Sequence, residues 1–119
     1  MTKTIILACV GGLTTSMLVE RINEVIHRDQ LNYSFYSVGI AGINNLKNID
    51  VLLLSPQLAY LEEKAKASLS VPVAVISDEN FELMKGEAVL QQAEDLMGWA
   101  DGNTNKTVDT RVDAANLKK

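Results

Sequence analysis

Two patterns of apolar residues alternate along this chain. The first is the short continuous run. Residues 4–8 (Thr-Ile-Ile-Leu-Ala), Val51–Leu54 and Val73–Ile76 are of this kind, which suits strands covered on both faces. A fourth stretch, Tyr33–Val38, is β-prone but alternates only in part, so it reads as a half-wet edge strand. The second pattern has helical spacing. Leu18, Ile22, Val25 and Ile26 fall at i, i+4, i+7 and i+8, with Glu20, Arg21, Asn23 and Glu24 on the opposite side. His27 and Arg28 end this helix, where cations suit its dipole. Leu58, Leu61, Ala65 and Leu69 make a second stripe, opened by Ser55-Pro56 with the proline in the first turn. A last helix runs from about Gly86 to Met97, with Val89, Leu90, Ala93, Leu96 and Met97 on one face. Residues 39–48, with two glycines and three asparagines, read as a loop holding one helical turn. Asp78 to Lys85 is open between loop and short helix.

Strand and helix alternate, and this predicts an α/β fold with a parallel sheet. Four strands with helices on both faces give a small doubly wound sheet. The order 2-1-3-4, flavodoxin-like, keeps each crossover right-handed and puts the first strand inside. Such sheets bind ligands at the carboxyl ends of their strands, beside strand 1. From Asp101 the pattern stops. Residues 101–119 are polar and aperiodic and read as a flexible tail. The predicted domain is therefore residues 1–100.

Composition narrows the function. The chain has 119 residues, 47% hydrophobic and 22% charged, which suits one globular domain. Its formal net charge is −4. Removing the tail's four positive and three negative charges leaves residues 1–100 at −5. An acidic chain argues against nucleic-acid binding. No apolar run approaches the ~20 residues that span a bilayer, and the N-terminal run is too short for a signal-peptide core. The expectation is a soluble, cytoplasmic protein. One cysteine, Cys9, and one histidine, His27, exclude an internal disulfide, a dithiol redox pair and the usual zinc sets.

Cys9 is the first residue after strand 1, so it occupies the ligand-binding end of the sheet. A lone cysteine is most often a buried small hydrophobe. The neighbours of this one point elsewhere: Val10, Gly11, Gly12, Leu13, Thr14, Thr15 and Ser16, then a helix. Glycines permit the backbone angles needed for several N–H groups to converge. The helix start adds unpaired N–H groups and the positive end of its dipole. Thr14, Thr15 and Ser16 add hydroxyls, as phosphate donors, as helix caps, or as both. The predicted result is a cradle for a tetrahedral oxyanion with sulfur at its base. A helix N-terminus also favours thiolate over thiol, and a thiolate there is a nucleophile for phosphorus.

Two enzyme classes use such a loop. Low-molecular-weight tyrosine phosphatases and related arsenate reductases carry C-x5-R-[ST], whose arginine grips the phosphoryl group in transfer. Here that arginine position is Thr15, followed by Ser16, and Asp78 is followed by Glu79 rather than by the proline of a general-acid motif. A cradle without arginine suits a carrier, which holds a phosphoryl group without hydrolysing it. A phosphatase relative and a non-catalytic flavodoxin-like binding module are the two rivals.

The loop from Cys9 through Ser16 resembles the phosphocysteine loop of enzyme IIB of the bacterial phosphoenolpyruvate-dependent sugar phosphotransferase system, lactose/cellobiose type. Val51-Leu-Leu-Leu-Ser-Pro-Gln-Leu-Ala-Tyr60 is similar to that family's strand followed by Pro-Gln-x-Ala-Tyr, and Val73–Asp78 to its last strand. The likeness covers about residues 3–98. Val10 departs from it, since the family more often has a small residue there. The resemblance implies a phosphotransferase in which Cys9 takes a phosphoryl group from a phosphohistidine of enzyme IIA. Cys9 then passes it to a sugar imported by the membrane component, enzyme IIC. The sugar would be a disaccharide or β-glucoside such as cellobiose, chitobiose or lactose. Val10 to Ser16 would bind the phosphoryl oxygens, Pro56, Gln57 and Tyr60 would shape the docking surface, and the resemblance implies no metal and no organic cofactor. Tyr60 as plain packing and Pro56 as a mere helix start stand equally open.

The remaining candidates fall away. His27 lies 11 residues beyond Ser16 on one helix, about 16 Å at ~1.5 Å per residue, too far to meet Cys9. An aspartyl-phosphate receiver needs an acidic pair after strand 1 and an aspartate after strand 3. Those places hold Cys9-Val10 and Ser55, so Asp50 and Asp78 do not make one. Asp78 is left a supporting or capping role.

Overall fold

The computed structural model of the protein describes residues 2–101. Four strands form one sheet: β1 (Lys3–Ala8), β2 (Tyr33–Val38), β3 (Val51–Leu54) and β4 (Val73–Val75). Their order is β2-β1-β3-β4, and every pairing is parallel. The expected α/β architecture and strand order are both observed. The helices are α1 (Leu13–Arg28), α2 (Glu62–Ser68), α3 (Asp78–Glu82) and α4 (Gly86–Asp101). Two 3₁₀ segments run over Ile40–Asn45 and Pro56–Leu61.

Side chains of β1 alternate between two cores because strand side chains alternate between faces. Ile5 and Leu7 join Leu18, Ile22, Val89 and Ala93 under α1 and α4. Ile6 and Ala8 join Leu58 and Ala65 on the other face. β3 does the same with Val51 and Leu53 against Leu52 and Leu54. The two central strands read as unbroken apolar runs for this reason, and Ile5–Ala8 and Val51–Leu54 are all fully buried. β2, at the edge, buries only Phe35.

α1 buries Thr15, Leu18, Ile22 and Ile26, one stripe laid on the sheet. α4 begins hard against it, because Gly86 is buried and a Cβ there would stand 3.3 Å from the backbone nitrogen of Ile22.

Three expectations need correction. The stretch after Pro56 is not one helix: it starts as a 3₁₀ segment, leaves helical angles at Leu58, and continues as α2. Of its predicted stripe, Leu58 and Ala65 are buried while Leu61 and Leu69 are only partly so. α3 resolves the open stretch after β4, and its cap is Ser77, whose Oγ accepts from the Asn80 N–H; Asp78 is not the cap. α4 continues past Met97 to Asp101. Asp101, the first residue of the predicted tail 101–119, therefore belongs to a helix, and the rest of that tail lies outside the described residues.

Leu53 is fully buried at the centre of the sheet. Leu53→Ala should cost about 2–5 kcal/mol through lost contacts and a cavity, read as a lower midpoint in urea unfolding at an unchanged slope.

Candidate functional site

The row of hydrogen bonds that closes the sheet at its carboxyl end builds the site. The Cys9 N–H donates to the Val38 carbonyl at 3.1 Å, the Ser55 N–H to Ala8 at 2.9 Å, and the Ile76 N–H to Leu54 at 2.8 Å. Cys9, Ser55 and Ile76 therefore lie side by side, one residue beyond the last paired positions Ala8, Leu54 and Val75. Continuing the alternation puts their side chains on the α1 face.

After Cys9 the chain turns sharply. Gly11 has φ +96°, and Gly12 has φ +111° with ψ 176°, a region essentially closed to other residues. This turn carries the Gly11 N–H back onto the Cys9 sulfur, with N···Sγ at 3.3 Å. Gly12 is the N-cap of α1, and no side chain caps the helix. The expected capping by Thr14, Thr15 or Ser16 does not occur, since the helix begins ahead of them, at Leu13. The first intrahelical bond is from the Ser16 N–H to the Gly12 carbonyl, 3.2 Å. The N–H groups of Gly12, Leu13, Thr14 and Thr15 precede it and have no intrahelical acceptor.

The donors this loop leaves without an intrahelical acceptor are therefore backbone. The Thr15 hydroxyl is buried and without a hydrogen-bond partner, Thr14 is half-buried and Ser16 is exposed. Cys9 itself is 3% exposed, beneath the exposed residues Val10, Gly11 and Gly12. Nothing lies within 4 Å of where a Cβ would stand at either glycine, so the space over the loop is open.

Pro56 and Gln57 directly follow Ser55 and so flank the Cys9 loop; Pro56 is half-buried and Gln57 exposed. Tyr60 is 71% exposed, which removes plain packing as its explanation. Val10, Leu13 and Ile40 are also exposed apolar residues, and they follow the carboxyl ends of β1 and β2. Sequence reading missed Ile40 and Ser55. The Ser55 side chain is fully buried and its hydroxyl has no partner. The available signal was a polar residue closing a wholly apolar strand at the level of Cys9. His27 is exposed in the last turn of α1, far along the helix from the loop. The Asp50 carboxylate accepts from the Thr4 N–H at 2.7 Å and so serves the opposite end of β1. Among the described residues no three His, Cys, Asp or Glu side chains come together to hold a metal ion, and no helix is long and apolar enough to cross a membrane.

A parallel four-stranded sheet of order 2-1-3-4, with a buried thiol beneath a glycine turn at the start of a helix, defines the class: a small flavodoxin-like α/β domain with a cysteine loop at the carboxyl end of its first strand. The family model for the lactose/cellobiose-specific IIB subunit of the phosphotransferase system matches residues 4–92. The chain belongs to that family. It is 36% identical over 104 residues to the galactose-specific EIIB component of Lactococcus lactis subsp. cremoris, covering 80% of this chain and 96% of the relative. The cellobiose-specific EIIB component of Lactococcus lactis subsp. lactis gives the same identity and coverage. Among solved structures, the cellobiose-specific IIB component from Borrelia burgdorferi superimposes with a TM-score of 0.71 at 30% identity, covering 82% of this chain and 93% of that one. The lactose-specific IIB domain from Streptococcus pneumoniae, at 19% identity and TM-score 0.68, shares the fold.

Gly12→Val should cost about 1–3 kcal/mol in strain with no steric clash. Denaturation should show that loss, and amide spectra should show changes confined to the loop and the first turn of α1. Core-wide spectral change would refute the local model of the turn.

Proposed function

We propose that this chain is the IIB phosphoryl carrier of a sugar-importing phosphotransferase system, with Cys9 as the residue that is phosphorylated. One observation carries the reading: the Cys9 sulfur, already accepting a hydrogen bond from the Gly11 N–H, lies at the base of a turn leading into four unpaired helix N–H groups. The donor is a phosphohistidine of an enzyme IIA protein. The Cys9 thiolate attacks phosphorus, an S–P bond forms, the N–P bond breaks, and the imidazole leaves with the electron pair. Val10 to Ser16 surround the phosphoryl group, chiefly with backbone N–H donors, which stabilise the charge as it passes through. In the second transfer a sugar hydroxyl held by enzyme IIC attacks the same phosphorus. The S–P bond breaks, the sulfur leaves as thiolate with the electron pair, and the hydroxyl proton passes to water. The substrate is a disaccharide or β-glucoside, in keeping with the cellobiose-specific name of one relative, while another is named galactose-specific.

Thr15 stands where a phosphatase of the related loop type has arginine. Without that cation the loop binds a phosphoryl group yet gives a water attack little help, so the phosphocysteine lasts until a partner arrives. Val10, Leu13, Ile40, Pro56, Gln57 and Tyr60 offer an uncharged rim for that partner. The work of the protein is then at the cytoplasmic face of the transporter.

Incubation with phosphoenolpyruvate, the general phosphotransferase proteins and a cognate enzyme IIA should add one phosphoryl group to Cys9, seen by mass spectrometry. Cys9→Ser should take none at that site. Cys9-dependent turnover of para-nitrophenyl phosphate would instead favour the phosphatase reading. Leu13→Asp should raise the KM for phosphorylated enzyme IIA about ten-fold or more, because a charge buried against an apolar partner is costly; an unchanged KM would remove Leu13 from the docking rim.

A further inference from the structure

Ser55 lies outside the Cys9 loop, and its chemistry is unaccounted for. Its side chain is fully buried, and its hydroxyl has no hydrogen-bond partner. Buried hydroxyls are nearly always partnered, so one left unpaired asks for an explanation. Its place supplies one. Ser55 continues β3 in extended backbone, with φ −63° and ψ 158°, and its N–H donates to Ala8, the residue before Cys9. The register Ala8 to Leu54 makes Cys9 its neighbour across the strands, at the usual spacing of about 4.8 Å. Val51 and Leu53 put the odd-numbered side chains of β3 on the α1 face, as Ile5 and Leu7 do for β1. The next residue in each series is Ser55 on one strand and Cys9 on the other. Ile76, on the far side of Ser55, belongs to the same apolar cluster and offers no acceptor.

We infer that Ser55 is a hydrogen-bond partner of the Cys9 thiolate: rotation of its hydroxyl about χ1 turns the unpaired O–H onto the sulfur when the thiol ionises. The sulfur then accepts from two sides, from the Gly11 N–H in the turn and from Ser55 in the adjacent strand. The second bond orients the nucleophile toward the mouth of the cradle and stabilises it as the leaving group of the onward transfer. Ser55 moves no proton and forms no covalent bond. In the neutral thiol form its hydroxyl is left unpaired in an apolar setting, which ties the state of the sulfur to the cost of that one group.

The inference rests on Cys9 as the reactive thiol, so its test reads the thiol directly as well as the phosphoryl transfer. Ser55→Ala should slow alkylation of Cys9 by iodoacetamide about ten-fold at a fixed neutral pH and lower the ultraviolet absorbance of the thiolate. Its melting temperature should be equal to or above that of the parent, because the lost hydroxyl had no partner. Phosphoryl acceptance from enzyme IIA should fall in parallel. A purely structural Ser55 would show the reverse, a lower melting temperature with unchanged alkylation and absorbance, and that result overturns the inference. If Ser55→Ala is less stable, Ser55→Thr decides: it keeps the hydroxyl, so retained reactivity upholds the role and lost reactivity refutes it. If the parent protein takes no phosphoryl group while alkylation still depends on Ser55, the carrier reading fails and the Ser55 bond stands. If the parent takes the group and Ser55→Ala alters neither alkylation nor acceptance, the Ser55 inference alone fails.

Discussion

The hydrogen-bond ladders that β1 makes with β2 and β3 place everything at this site. Backbone amides in a buried sheet must be paired, and for β1 that means a parallel neighbour on each side. The pairing sets Ala8 level with Val38 and Leu54, so three chain segments leave the sheet at one level. Cys9 is where β1 stops being able to pair as a strand. Its own N–H still bonds to Val38, but the glycine turn then lifts the chain out of the plane. The sulfur stays buried while Val10, Gly11 and Gly12 after it are exposed. With β1 at an edge of the sheet, the thiol would have water on one side instead of Ser55.

The same ladders explain what sequence alone could and could not show. Runs such as Ile5–Ala8 and Val51–Leu54 announce strands covered on both faces, and their alternation with helical stripes leaves few topologies. The strand order followed from handedness rules, which need no side-chain detail. The glycine-hydroxyl stretch after Cys9 marked the site for a local reason, since neighbouring residues supply its whole cradle. The failures were non-local. Whether Thr14, Thr15 or Ser16 caps α1 depends on where the helix begins, and Gly12, with angles closed to other residues, sets that point one residue ahead of them. The 3₁₀ form of Pro56–Leu61 arises because Leu58 abandons helical angles while its side chain enters the lower core. Ser55 was hidden because its meaning lies in register with a residue 46 positions away.

The acidity of the chain acquires a physical sense at the loop. A phosphoryl group can be held by cations or by oriented neutral dipoles. Cations hold it tightly and also favour attack by water. The Cys9 loop offers dipoles: four N–H groups without an intrahelical acceptor and the positive end of a helix. The exposed residues around it, Val10, Leu13, Ile40, Gln57 and Tyr60, carry no formal charge. The nearest arginine in sequence, Arg21, is occupied elsewhere, donating to the Met84 carbonyl at 3.3 Å.

Because the donors at Gly12, Leu13, Thr14 and Thr15 are main-chain amides, ordinary substitution leaves their number unchanged. A side-chain scan would register shape and stability and would pass over the amides themselves. Only chemistry that alters the main chain can subtract one: an ester linkage, or a proline at Leu13, where a helix tolerates a missing N–H. Variation at Val10, Ser16 or, proline aside, Leu13 leaves these amides in place, so the outer surface of the loop can drift while the main-chain donors beneath it persist.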